Sequence, residues 1–262
     1  MKQTDIFGGV SKIKTLSNTD YKILPVSVID IAAQKKRQNE NHAKTSSRAN
    51  YSPFPSEVSD ICYQYYLRDH RVIVDPFAGW GERHSKAIEY KKEYFGYDIS
   101  KDAIWSAWDN YEVENILADS RSVDVPEFNG MITCPPYWNL EKYADPDGVD
   151  RCKTWDEFKH YLEFIFQRFY AKADEGSTFC IMVGDWRKNH IYYDLDYVVS
   201  AIFDRLGAVV FDKVVISRKL ISKIKIMLPQ AKRLGYSVRV NESLLVFKKP
   251  FKMDVDRMGN EV

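Results

Sequence analysis

The sequence predicts an α/β fold: a seven-stranded, mostly parallel sheet with helices packed on its faces. Three observations carry that expectation. Short apolar runs alternate with helical stretches from about residue 71 onward, the order of linked strand–helix–strand units. The first run ends in an acid and a glycine-rich turn that opens a helix, which is how a parallel sheet presents a ligand edge. At 262 residues, 45% apolar and 14% aromatic, the chain can bury one substantial core but not two large ones.

From residue 1 to 50 the sequence is polar, and QKKRQNENHAKTSSRAN (34 to 50) has almost nothing to bury, so this stretch is expected to be an irregular arm ahead of one domain at 51–262. YSPFPSEVSDICYQYYL opens on two prolines and Ser56, then places Val58, Ile61, Cys62 and Tyr65 at helical spacing. RVIVD (71 to 75) reads as the first strand, followed by a helix from Glu82 to Tyr90. YFGYD (94 to 98), a helix from Lys101 to Tyr111 and VENILAD (113 to 119) continue the alternation. GMITC (130 to 134) is the fourth strand, and Pro135 and Pro136 must end it because proline cannot donate to a ladder. Trp155, Phe158, Leu162, Ile165 and Phe169 recur three or four residues apart, an amphipathic helix packing on the sheet. STFCIMVGDW (177 to 186), a helix from about Asp194 to Leu206, AVVFDKVVIS (208 to 217) and SLLVFKK (243 to 249) bring the strands to seven.

The bulk numbers exclude several function classes. A formal charge of +1 excludes a uniformly basic nucleic-acid binder, so phosphate contacts must come from local clusters. Cysteines at 62, 134, 152 and 180 show neither zinc spacing nor disulfide density, so no metal site is expected and a reducing, cytoplasmic setting fits. No stretch approaches the roughly 18 apolar residues of a membrane span, and the N-terminus has no signal-like pattern.

VIVDPFAGWGERH puts an acid at a strand end, then Gly79 and Gly81, then a helix. Glycine lets the backbone turn tightly and approach a ligand, and the helix start offers unpaired N–H groups. Asp98 closes the next strand near the roughly 20-residue offset at which a carboxylate meets ribose hydroxyls, and Asp119 closes the third. Asp75, Asp98 and Asp119 are therefore expected to line one nucleoside cleft. GxxxxGK[ST] is absent and the third position of GxGxxG is His84, so the ligand reads as a nucleoside without phosphates.

Together DPFAGWG and TCPPYW, after the first and fourth strands, resemble the DPFxGxG and [DNS]PP[YFW] motifs of the DNA amino-methyltransferases. From ILPVSVID through YSPFP, CPPYWNLEKY, VGDWR and RLGYSVRVNESLLVFKK, the chain is similar to phage and prophage orphan DNA modification methylases over about residues 23 to 249. The resemblance implies a Rossmann-like sheet of class I S-adenosylmethionine-dependent methyltransferases and that cofactor. It implies cofactor contacts from Tyr51, Phe54, Asp75, Pro76, Phe77, Gly79, Gly81, Asp98, Ile99, Asp119 and Ser120. By the same resemblance Cys134, Pro135, Pro136 and Tyr137 form the catalytic loop, and Tyr137, Trp138 and Asp185 meet the target base.

An aromatic exocyclic amine is a poor nucleophile because its lone pair is delocalised. In the family the carbonyl of the first proline, here Pro135, accepts one amine hydrogen and the preceding residue another. Tyr137 would stack on a base flipped out of the duplex, recovering about 1–3 kcal/mol of the unstacking cost. Cys134 stands where the family carries Asp, Asn or Ser, and a thiol is a weak acceptor. The target therefore stays open between cytosine N4 and adenine N6, and a carbon-5 reaction through Cys134, an RNA methyltransferase and a catalytically inactive nucleic-acid-binding protein stand as alternatives.

Between Asp212 and Glu242 no acid occurs, while Lys213, Arg218, Lys219, Lys223, Lys225, Lys232, Arg233 and Arg239 all do. Eight basic residues in a near-neutral chain are expected to contact DNA phosphates from an insertion at about 213–241.

Overall fold

The computed structural model describes residues 26–31, 54–139, 148–218 and 221–251. Along the chain run β1 (Val28–Ile31), α1 (Ser56–Ile61), β2 (Val72–Asp75), α2 (Glu82–Glu89), β3 (Glu93–Asp98), α3 (Lys101–Tyr111), β4 (Ile116–Leu117) and β5 (Phe128–Thr133). Then follow α4 (Trp155–Lys172), β6 (Ala173–Val183), β7 (Trp186–Lys188), β8 (Ile191–Tyr193), α5 (Leu195–Arg205), β9 (Val209–Arg218), α6 (Ile221–Leu234) and β10 (Asn241–Lys248).

The described strands form a main sheet in the order β1-β9-β10-β6-β5-β2-β3-β4. β4, β3, β2, β5 and β6 lie parallel, and β10 inserts antiparallel between β6 and β9. All seven expected strands are present, though VENILAD contributes only two residues to the ladder. The expected run through Trp186 divides: β6 ends at Val183, and Trp186 begins a separate hairpin with β8. Asn189 and His190 at its tip both have positive φ, 50° and 66°, the twist that suits a two-residue hairpin turn.

An eighth strand corrects the expectation of an irregular arm over 1–50. Val28–Ile31 pairs parallel with β9, Val28 against Val215 through Ile31 against Arg218. The burial pattern alternates, with Ile29 and Ile31 in the core and Val28 and Asp30 in solvent. Four residues within a polar stretch are too few for periodicity to announce, and only the waiting edge of β9 gives them a partner. The remaining arm lies outside the described residues.

Two apolar layers sandwich the sheet. On one face α4 and α5 bury Phe158, Leu162, Ile165, Phe166, Phe169 and Phe203 against Phe179 and Phe247. Phe203 stacks on Phe247 with centroids 4.5 Å apart. On the other face Val58, Ile61 and Ala87 cover Ile73, Ile132, Cys180 and Val246. Central strands clothed on both sides are buried on successive residues rather than alternate ones, as the last four residues of β5 and the last seven of β6 are. The helices start where side chains satisfy their first amides: Ser100 accepts from Ala103, Thr154 from Glu157 and Asp194 from Tyr197.

The start of α2 uses glycine instead. Gly81 has φ 95°, and a Cβ there would lie 2.8 Å from Ala107 Cβ and 2.9 Å from Val113 Cγ2. The bare backbone lets α2 close onto α3. Gly81→Ala should cost about 2–4 kcal/mol through left-handed strain and overpacking. Urea denaturation should show a lower midpoint with unchanged slope; an unshifted midpoint would contradict this packing role.

Candidate active site

The carboxyl ends of β2, β3 and β5 face one cavity, and the loop after each strand supplies part of its wall. Asp75, last in β2, is fully buried. Its Oδ1 accepts from the Phe77 amide at 3.0 Å and from Thr133 Oγ1 at 2.5 Å. Its Oδ2 accepts from Tyr94 Oη at 2.7 Å and from Arg83 Nε at 2.5 Å. Burial works against the Arg83 charge, and Asp75 beside it outweighs that effect and keeps the guanidinium protonated. Arg83 also donates to the Phe77 carbonyl at 2.5 Å and lies over the Phe54 ring, 4.7 Å from its centroid.

Gly79 follows with φ 57° and both peptide groups fixed. Its amide donates to Asp98 Oδ2 at 2.7 Å, and its carbonyl accepts from Asn115 Nδ2 at 3.3 Å. Asn115 Oδ1 in turn lies 2.9 Å from His84 Nδ1, and the His84 ring stacks on Tyr94. Burial lowers the imidazole below its usual range, favouring the neutral ring.

The two remaining acids differ. Asp98 Oδ1 accepts from the Ser100 amide at 2.9 Å. Burial raises its carboxyl above the ordinary range, more than the two amide bonds lower it. For Asp119 burial also pushes upward, but Arg121 prevails with a backbone amide at 2.9 Å and guanidinium contacts of 2.6–3.0 Å, so its carboxyl titrates lower than usual. Arg121 rests over the Tyr161 ring, and Ser120 Oγ donates to the Pro76 carbonyl at 2.6 Å.

Phe54, Pro76, Phe77, Gly79, Asp98, Ile99, Asp119 and Ser120 all line the cavity, as does the Cys134–Tyr137 loop. The Cys134 thiol points to the Pro135 carbonyl at 4.0 Å. Tyr137 donates to Glu242 Oε1 at 3.1 Å and meets Trp186 edge-on at 5.7 Å.

Four expected site residues sit elsewhere. Asp75 lies behind the cavity, its oxygens occupied by four donors. Gly81 serves helix packing. Trp138 turns away from its neighbour Tyr137, donates to the Cys152 carbonyl at 2.8 Å and packs on Trp155 and Tyr193. Asp185 is held by the Asp196 amide and Tyr192 Oη at 2.9 and 2.8 Å and by Arg239, so it ties the β7–β8 hairpin to the chain before β10. Tyr51 lies outside the described residues.

Sequence reasoning missed Arg83, Tyr161, Met182, Gly148, Val149 and Glu242. Arg83 had one available signal, a cation in the first turn of α2 following a buried acid. Glu242 is 105 positions from Tyr137 and had none.

The basic segment proves to be the last half of β9 followed by α6. Lys213 pairs with Asp196 at 2.8 Å, and Arg239 with Asp185, so these two are spoken for. Lys232 and Arg233 are exposed near the end of α6, beside Ile226, Met227 and Leu228, which are also exposed. Lys219 lies outside the described residues, as do the side chains of Arg218, Lys223 and Lys225. Among the described residues no helix is long and apolar enough to cross a membrane.

Neither protein-family models nor curated proteins give a match to this chain. Among solved structures, N-methyltransferase NodS from Bradyrhizobium japonicum gives a TM-score of 0.50 at 11% identity, covering 74% of this chain and 96% of that one. A putative RNA methyltransferase from Pyrococcus horikoshii gives 0.48 at 15% identity, covering 79% and 87%. TrmN from Thermus thermophilus gives 0.46 at 15% identity over 72% of this chain and 48% of its own, so the chain spans about half of that protein. The likeness to NodS and the strand order describe the class I methyltransferase fold, a Rossmann-like α/β sheet.

Asp75→Asn should keep the shape of the site while leaving Arg83, 5% exposed, without its counter-charge. Loss of a buried partner costs about 3–5 kcal/mol. Thermal unfolding should show that loss in the single variant and partial recovery in Asp75→Asn/Arg83→Met; a double variant less stable than the single would refute the pairing argument.

Proposed function

We propose that this protein is an S-adenosylmethionine-dependent methyltransferase acting on an exocyclic amine of a DNA base, cytosine N4 or adenine N6. The observation that carries the reading is that one cavity is lined by both the DPFAGWG turn and the CPPY loop. Its cofactor half suits a nucleoside. Asp98 and Asp119 are anchored by their backbone bonds, and a carboxylate oxygen can accept more than one hydrogen, so both can also accept from ribose or adenine. Ile99, Ala118 and Phe77 provide apolar wall for a flat ring, and Arg83 beside Phe54 offers positive charge to an α-carboxylate. S-adenosylmethionine supplies a methyl group on a positively charged sulfur.

The remaining work belongs to the chain. Pro135 presents a carbonyl to the amine without an N–H to compete, and Tyr137, steadied by Glu242 and Trp186, carries the stacked base. Alignment of this kind supplies up to about 7–11 kcal/mol of a barrier. DNA is the proposed partner. The exposed cations of α6 and the apolar residues beside them favour a duplex held at this helix, with phosphates meeting Lys232 and Arg233.

Expression in a methylation-deficient host, with host DNA digested to nucleosides for mass spectrometry, should reveal N4-methylcytosine or N6-methyladenine. Absence of both would refute the reading, and 5-methylcytosine would move it to carbon-5 chemistry through Cys134. Separately, Lys232→Glu/Arg233→Glu should weaken duplex binding and reduce the slope of log affinity against log salt by about two. An unchanged slope would remove α6 from the interface.

A further inference from the structure

The target end of the cavity contains an acid that no local pattern announces. Glu242 is the second residue of β10, where that strand begins beside the end of β6. Ser243 lies opposite Val183, so Glu242 emerges next to Gly184, at the same sheet edge as the CPPY loop. It lines the cavity with Cys134, Pro135, Pro136 and Tyr137, and its Oε2 is out of solvent contact.

The surroundings accommodate this side chain. A Cβ on Gly184 would stand 3.1 Å from Glu242 Cγ and 3.2 Å from Tyr137 Oη, tighter than ordinary contact. Glycine there leaves room for the pair. Tyr137 donates to Oε1, and each carboxylate oxygen has lone pairs for more than one donor.

We infer that Glu242 is the hydrogen-bond acceptor that recognises the exocyclic amine of the target base. The inference rests on the reading of this cavity as a base pocket. Holding an aromatic amine needs acceptors on its two hydrogens. Pro135 offers one carbonyl, whereas the Cys134 thiol is a weak acceptor already turned toward Pro135. Asp185, the acid expected at the base, is tied to Arg239, Tyr192 and the Asp196 amide. Asp98 and Asp119 also line the cavity, but they are bonded at the glycine turn and to Arg121, whereas Glu242 is bonded to the CPPY loop itself through Tyr137. A carboxylate accepts and does not donate, so in that form Glu242 favours bases presenting an amine and disfavours thymine, whose O4 is itself an acceptor.

Short single-stranded homopolymers test this without knowledge of a recognition sequence, because an unpaired base enters a pocket without the cost of flipping. At fixed ionic strength the cofactor-loaded full chain should bind oligo(dC) or oligo(dA) about tenfold more tightly than oligo(dT). Glu242→Ala should abolish that preference. Glu242→Gln should narrow it, because an amide can also donate to thymine O4, and it should retain cofactor binding in calorimetry. A preference intact in both variants overturns the assignment, as does a wild type with no preference. Equal weakening toward all homopolymers would reduce Glu242 to a support for Tyr137, and loss of cofactor binding in Glu242→Gln would place it in the cofactor half; either result also overturns it. Absence of methylated nucleosides in host DNA from the wild type overturns the underlying reading. Their presence alongside an unchanged preference overturns only the role of Glu242.

Discussion

The Asp75–Arg83 ion pair is the interaction on which the rest of the site depends. A carboxylate with no solvent exposure is tolerated only when its charge and lone pairs are met, and here four donors meet them. Each donor comes from a different part of the fold. Arg83 belongs to α2, Tyr94 to β3, Thr133 to β5 and the Phe77 amide to the loop after β2. Thr133 immediately precedes Cys134, so one buried carboxylate sets both the DPFAGWG turn and the CPPY loop. Arg83 closes the arrangement by gripping the Phe77 carbonyl. The pair therefore holds two halves of one cavity in register, a role that hydrophobic contacts alone would perform with less directional definition.

Around this anchor the acids divide their work by environment. Asp98 fixes the Gly79 amide and is pushed toward protonation by burial. Asp119 is clamped by Arg121 and stays ionised to lower pH. Asp75 has both oxygens bonded within the protein, to Phe77 and Thr133 on one side and to Arg83 and Tyr94 on the other. Three carboxylates at successive strand ends thus perform three tasks, although their sequence contexts look alike.

A similar division separates neighbours in the CPPYW segment. Tyr137 and Trp138 are adjacent, yet one lines the cavity and the other joins Trp155, Trp186 and Tyr193 in an aromatic cluster. That cluster underpins the β7–β8 hairpin. Lys188 on the hairpin holds Asn139, two residues after Tyr137, so the hairpin braces the loop from outside. Gly184 separates the buried strand from this brace and leaves space for Glu242.

What the sequence determined by itself was whatever depends on local order. Apolar runs of strand length, helical periodicity in α4, the glycine turn after Asp75 and the prolines after Thr133 are dictated by backbone sterics and by burial, both expressed over a few residues. They sufficed for seven of the eight strands described in the main sheet and for most of the cavity wall. Tertiary structure alone decided which way side chains face and whom they meet. Val28–Ile31 became a strand because β9 offered an edge, Asp75 went inward because Arg83, Tyr94 and Thr133 converged on it, and Asp185 was taken by Arg239. Glu242 reached Tyr137 from 105 residues away because antiparallel β10 starts where β6 ends. Pairings of that kind are set by sheet register and packing, which act across the chain and leave no mark in the spacing of neighbouring residues.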